Sequence, residues 1–117
     1  MNQNAAACAY YYFTKGGLTH DCPYKYGAGE NLAYNYNKTA PALAATDLWY
    51  NEVSKYDYNN PGFRQDTGHF TQLVWKSSTK FGIGVWADQS SGIQYVCGLY
   101  SPQGNVDGQF PDNVVAP

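Results

Sequence analysis

Two runs near the carboxyl end, Phe81 to Trp86 and Ile93 to Tyr100, constrain the fold of this chain more than any other feature. Both are rich in β-branched and aromatic residues, and Asp88 to Gly92 between them has turn chemistry, so the pair reads as a β-hairpin. Upstream the pattern is helical. Residues 5 to 13, Ala-Ala-Ala-Cys-Ala-Tyr-Tyr-Tyr-Phe, read as a helix ended by Gly16-Gly17. Thr39 is placed to cap a second helix with Pro41 in its first turn, continuing to about Lys55. Its apolar stripe is Ala45, Leu48, Trp49, Val53 and Tyr56, at spacings of three and four. Asn59-Asn60-Pro61-Gly62 and Asp66-Thr67-Gly68 are turn signals, and His69 to Trp75 is too short to assign by period. The tail from Ser101 to Pro117 reads as irregular structure.

The 117 residues fit one domain, residues 1 to 117, with a single core. Charged residues make up 14% of the chain, against about 25% in an average globular protein, and Tyr reaches 12 copies. That profile points to an extracellular protein. A formal net charge of -2 with no Lys/Arg cluster argues against nucleic acid, anionic membranes and phosphates as partners. No apolar run approaches the ~18 residues of a membrane span. Met1-Asn2-Gln3-Asn4 followed by three alanines lacks the regions of a signal peptide, so Met1 reads as an added start on a mature or trimmed chain. Asn37-Lys38-Thr39 is an acceptor sequence for N-glycosylation, which belongs on the surface of a secreted protein. Of the three cysteines, Cys8 and Cys22 both lie near the amino end and form the preferred pair. Cys97 sits in an apolar run and reads as a buried hydrophobe.

Chemistry-bearing residues are scarce. The chain has two histidines, His20 and His69, and two glutamates, Glu30 and Glu52. Glu30 stands in Gly29-Glu30-Asn31-Leu32-Ala33, and His69 opens His69-Phe70-Thr71-Gln72-Leu73-Val74-Trp75 after Gly68. Glu52 falls inside the apolar stripe of the second helix, where a carboxylate is costly unless it is paired, protonated or associated with a metal. Imidazole and carboxylate are ligand types of zinc and similar divalent ions, and they are also the usual general acids and bases.

Together these segments resemble the superfamily of cysteine-rich secretory, antigen-five and pathogenesis-related class-one proteins (CAP), from about Thr19 to Val106. Gly68 to Thr79 looks like one family signature and Gly29 to Ala33 like another hallmark. Tyr100-Ser101-Pro102-Gln103-Gly104-Asn105 resembles the second signature, and Asp47 to Glu52 the helix that supplies an acidic residue. The look is that of the secreted fungal members. The resemblance implies an α+β fold, a three-layer α-β-α sandwich with a central antiparallel sheet. It also implies a cleft holding His20, Glu30, Glu52 and His69, in which the histidines ligate a divalent metal, zinc or alternatively magnesium, while the glutamates position water or complete the site.

Three departures accompany it. Aligned on Pro102, the signature cysteine column holds Gly98, with Cys97 displaced by one, and Ile83 stands where the strand partner of that cysteine belongs. Neighbouring strand residues point to opposite faces, so Cys97 does not replace the missing cysteine. The family's first helix is also reduced, leaving Ala5 to Phe13 at the amino end.

The resemblance extends to function. In Tyr56-Asp57-Tyr58-Asn59-Asn60-Pro61-Gly62-Phe63 the aromatic spacing resembles a loop tied to sterol binding in fungal relatives. Tyr56, Tyr58, Pro61 and Phe63 would cover a flat apolar ligand, with fatty acid as another ligand in a separate cavity between helices. A non-enzymatic, monomeric, secreted lipid-binding protein is therefore expected first, and a module recognising a host or cell-wall partner second. A metal-dependent hydrolase comes third, because the chain has no His-Glu-x-x-His helix and no Gly-x-Ser-x-Gly elbow.

Overall fold

The computed structural model describes residues 1 to 116. The hairpin forms as the sequence predicts. Strands β1 (Gly29–Asn35), β2 (Lys80–Ala87) and β3 (Gln94–Ser101) make an antiparallel sheet in the order β1-β3-β2. Strand β1 carries no strand signature of its own, since its run Gly-Glu-Asn-Leu-Ala-Tyr-Asn is mostly weak in β propensity. It is a strand because it pairs along its whole length with β3, from Gly29 opposite Tyr100 to Asn35 opposite Gln94.

Alternation along β3 divides the core in two. Cys97 and Leu99 pack with Ala5, Cys8, Ala9 and Tyr12 of helix α1 (Asn2–Lys15). Val96 turns the other way, to Ala45 and Trp49 of helix α2 (Pro41–Tyr50). Helix α3 (Gly68–Leu73) contacts α2 and β1. The sheet is thus flanked by α1 on one face and by α2 with α3 on the other, the expected α-β-α arrangement.

Glycine sets the approach of α1. A Cβ on Gly84 would lie 2.1 Å from the backbone nitrogen of Ala6, so the helix backbone rests directly on β2. On the opposite face a Cβ on Gly98 would press on the Trp49 ring at 3.2 Å. Gly98 pairs with Ile83 across the strands, so the two positions at which the resemblance expects a bridge do face each other, and here they are filled without sulfur. Cys97 is fully buried and free, while Cys8 and Cys22 form the disulfide, as expected.

Several local expectations are corrected. Helix α1 runs from Asn2 to Lys15 rather than from Ala5 to Phe13, and Gly16 ends it in the left-handed conformation (φ 80°). The second helix ends at Tyr50, and Asn51–Lys55 tightens into a 3-10 helix. Thr39 is not its cap. The Asn37 side chain accepts from the backbone N–H groups of Thr39 and Ala40 at 3.1 and 2.9 Å and shapes the helix entry. Leu48 leaves the stripe, being 58% exposed, because only Ala45 and Trp49, one turn apart, face the sheet. The tail contains a short helix α4 (Phe110–Asn113), whose Phe110 packs on Trp75 at 4.9 Å between ring centroids.

Gly84→Ala should cost about 3 kcal/mol or more, the upper end of overpacking penalties, because backbone on both sides must move. The melting midpoint should fall by roughly 10 °C, whereas Gly17→Ala, with only Thr19 within 3.9 Å, should leave it nearly unchanged. Circular dichroism melts of the two variants check this.

Candidate metal and ligand cleft

Each histidine of the predicted tetrad is held by one glutamate. His20 Nδ1 lies 2.9 Å from Glu30 Oε1, and His69 Nδ1 lies 2.8 Å from Glu52 Oε2. A carboxylate accepts and does not donate, so in both pairs the Nδ1–H donates and Nε2 is left as the ring atom available to a ligand. The second oxygen of Glu52 accepts the Phe70 N–H at 3.0 Å, which locks the 3-10 helix to α3. Glu52 is therefore neither core nor solvated: the tightening after Tyr50 turns it toward α3.

Glu30 is more deeply set, with its side chain 2% exposed. Tyr12 of α1 donates to its Oε2 at 2.8 Å, and Lys25 approaches Oε1 at 3.5 Å. Burial alone would raise its pKa. The hydrogen bonds from His20 and Tyr12, with the charge of Lys25, outweigh that and hold the carboxyl below its usual range. Desolvation, with the neighbouring Glu30 charge, pushes the phenol of Tyr12 and the thiol of Cys97 well above their ordinary values.

His20 sits in a loop with a left-handed backbone (φ 63°), a conformation in which His is more common than most non-glycine residues. The loop is fixed by the Cys8–Cys22 disulfide, by the Lys25 ammonium on the His20 carbonyl, and by the Tyr12 hydroxyl, which accepts the Cys22 N–H at 3.0 Å. His69 is stacked on Trp49, with ring centroids 6.4 Å apart and planes 19° from parallel.

His20, Glu30 and His69 line one cleft of about 450 Å³ together with Asn31, Phe63, Gln65, Gly68 and Asn105; Glu52 stands behind His69. The motifs around Asn31 and Asn105 give no sign of a role for either side chain. Asn31 donates to the His69 carbonyl at 2.9 Å, and Asn105 donates to the Gly68 carbonyl at 3.0 Å while accepting from Thr71 at 2.7 Å. Together they clamp the start of α3, and hence His69, to β1 and to the loop after β3.

Among the described residues, three metal-ligand donors come within 4.8 Å of one another only at Cys8, Glu30 and Cys97. That trio is no metal site as it stands, since Cys8 is spent in the disulfide and burial keeps Cys97 a thiol. The tetrad itself offers two imidazole nitrogens with carboxylates behind them. Such a set fits an open site completed by water rather than a closed four-ligand one.

The aromatic loop divides. Tyr56 is 8% exposed and packs on Phe70, Tyr58 is half-buried against Tyr56, and Phe63 is 53% exposed on the cleft wall. Pro61 and Asn37 are exposed.

Residues 1 to 100 match the model of the cysteine-rich secretory protein family. The chain belongs to the CAP family. It is 43% identical to protein PRY2 of Saccharomyces cerevisiae over 105 residues, covering 89% of this chain and 30% of that protein. It is 45% identical to the human Golgi-associated plant pathogenesis-related protein 1 over 92 residues, covering 76% of this chain and 58% of that one. The chain thus spans less than two thirds of these relatives. The crystal structure of NaASP2 with Zn2+ superposes with a TM-score of 0.68 at 26% identity, over 90% of this chain and 58% of that one.

The depressed pKa of Glu30 means that the native state binds fewer protons here than the unfolded chain. Its stabilising contribution is complete above the unfolded glutamate value of about 4.3 and is lost as pH falls through the lower folded value. Denaturant unfolding from pH 6 down to pH 3 should show this loss, and Glu30→Gln should flatten the slope below pH 4.5 while lowering stability at pH 6.

Proposed function

We propose that this CAP chain is a secreted, non-enzymatic lipid-binding module whose cleft holds a divalent ion, zinc in the first place, between His20 and His69. The observation that carries the metal reading is the paired Nδ1-to-carboxylate geometry, which presets both rings with Nε2 unengaged. Glu30 and Glu52 hold the imidazole tautomers, and Asn31 and Asn105 hold the backbone that presents His69. When bound, the ion supplies a fixed positive charge at the cleft floor. The Zn2+ in the NaASP2 structure supports this choice of metal. Secretion rests on the composition and the acceptor triplet at Asn37.

The lipid reading rests on the split loop. Tyr56 and Tyr58 anchor it to the core, Pro61 is exposed, and Phe63 remains outside on the cleft wall, where a flat sterol ring system finds rigid aromatic area. No side chain of the cleft is an activated Ser, Thr or Cys nucleophile.

Calorimetry at neutral pH should show one zinc site, removed by His69→Ala and weakened as acid protonates the imidazoles. Zinc binding unchanged in that variant, or none in the wild type, sinks the metal assignment.

For the lipid, Phe63→Ala should weaken sterol binding by about 1 to 3 kcal/mol, the scale of burying one large apolar side chain. That is roughly tenfold or more. A competition assay with labelled sterol measures it, with Tyr58→Ala as a second variant. Wild-type affinity in both folded variants refutes the loop. Fatty-acid binding without sterol moves the ligand to a site between helices.

A further inference from the structure

Beneath α1, away from the cleft, a second set of metal-ligand atoms converges. Cys8 Sγ, Cys97 Sγ and a carboxylate oxygen of Glu30 all lie within 4.8 Å of one another. They come from three different elements, α1, β3 and β1, and both cysteines are fully buried. The Cys97 thiol donates to Glu30 Oε2 at 3.6 Å. Around a tetrahedral zinc ion, with bonds of about 2.3 Å to sulfur and about 2.1 Å to oxygen, neighbouring ligand atoms stand about 3.5 to 3.8 Å apart. Cys97 and Glu30 are already spaced as two ligands of one ion.

The remaining sulfurs are held in the disulfide. Cys22 Sγ is bonded to Cys8 Sγ, so opening that bond frees two thiols beside Cys97. The Tyr24 N–H donates to Cys22 Sγ at 3.4 Å, a hydrogen bond that strengthens when the sulfur is anionic. Glu30 has the outer partners that a ligating carboxylate needs. Tyr12 donates to Oε2 at 2.8 Å, while His20 and Lys25 hold Oε1, and the Lys25 ammonium adds positive charge beside an anionic donor set. Three sulfurs with one carboxylate favour a thiophilic divalent ion, whereas the His20/His69 cleft offers no sulfur.

We propose that Cys8, Cys22, Cys97 and Glu30 form a second, redox-gated metal site, which takes one thiophilic divalent ion such as zinc when the Cys8–Cys22 disulfide is reduced and is closed when that bond forms. Reduction moves two electrons and two protons from a thiol or phosphine reductant into the S–S bond, giving two S–H groups. The entering ion displaces the three thiol protons to solvent, because direct coordination deprotonates even a buried thiol. Oxidation by a disulfide reagent withdraws two electrons from Cys8 and Cys22, rebuilds the S–S bond and expels the ion.

The probe is Cd2+, titrated into the intact chain in tris(2-carboxyethyl)phosphine while the ultraviolet sulfur-to-cadmium charge-transfer band is followed. Imidazole and carboxylate ligands give no such band, so the His20/His69 cleft is silent in this measurement. The reduced chain should bind one ion with zinc competing for it, and its melting midpoint should rise with metal, since an ion that binds only the folded state stabilises it. That rise separates a native site from cysteines of an unfolded chain. Cys97→Ser should weaken binding by more than the roughly 10- to 100-fold that losing a ligand's outer partner costs. This variant keeps both disulfide cysteines, so the melt of its oxidised form checks that it folds. The oxidised wild type should give no band, and His69→Ala should leave the band of the reduced chain unchanged. Wild-type affinity in folded Cys97→Ser, a band in the oxidised chain, loss of the band in His69→Ala, or a reduced chain with no band or no metal-dependent rise in melting midpoint overturns the proposal.

Discussion

A single carboxylate, Glu30, joins the parts of this molecule that have no other reason to stay together. It projects from β1 into the layer beneath α1, where a charge survives only if it is matched. Tyr12 matches it from the helix, His20 and Lys25 from the following loop, and the Cys97 thiol reaches it from the central strand at 3.6 Å. Removing the carboxylate would leave the Tyr12 O–H and the His20 Nδ1–H each without an acceptor, so the amino-terminal helix, the disulfide loop and the sheet are coupled through one side chain. The cleft inherits its rigidity from that coupling, because Glu30 is the hydrogen-bond partner that orients the His20 ring.

The second imidazole is held by an independent device on the opposite side of the sheet. Glu52 bridges the His69 ring and the Phe70 N–H, and Trp49 stacks against the ring while donating its indole N–H to the Leu32 carbonyl at 3.1 Å. Two glutamates from different elements thus do the same work from opposite layers, and the cleft opens where the layers meet at the end of β1. Both rings are thus oriented by hydrogen bonds from the protein's own carboxylates.

A strip of aromatic rings lies on the α1 face of the sheet, away from the cleft. Its row depends on the register of three strands, and Tyr34, Tyr95 and Trp86 are scattered in sequence. The bulky α1 residues Tyr10 and Phe13 reach it because glycine at positions 82 and 84 lets the helix lie close along β2.

What was legible in the sequence had local causes. The hairpin declared itself through β-branched and aromatic runs around a turn, and the Gly16 helix stop followed from its left-handed backbone. The four scarce residues and the family motifs around them were legible too, and three of the four line one cleft with the fourth bonded behind His69. What escaped was decided by distant partners. β1 has weak intrinsic propensity and is a strand only through pairing with β3, whose partners lie 59 to 71 residues away in sequence. Phe110 looked like tail until Trp75 covered it, and Leu48 fitted a stripe that the sheet does not reach. Asn31 and Asn105 carry no sign of their carbonyl partners in their own sequence neighbourhoods. Residue type and short-range spacing settle which chemistry the chain owns, because they act through neighbours a few bonds away. Which donor meets which acceptor, and which rings share a face, was fixed only when strand register and helix approach brought remote segments together.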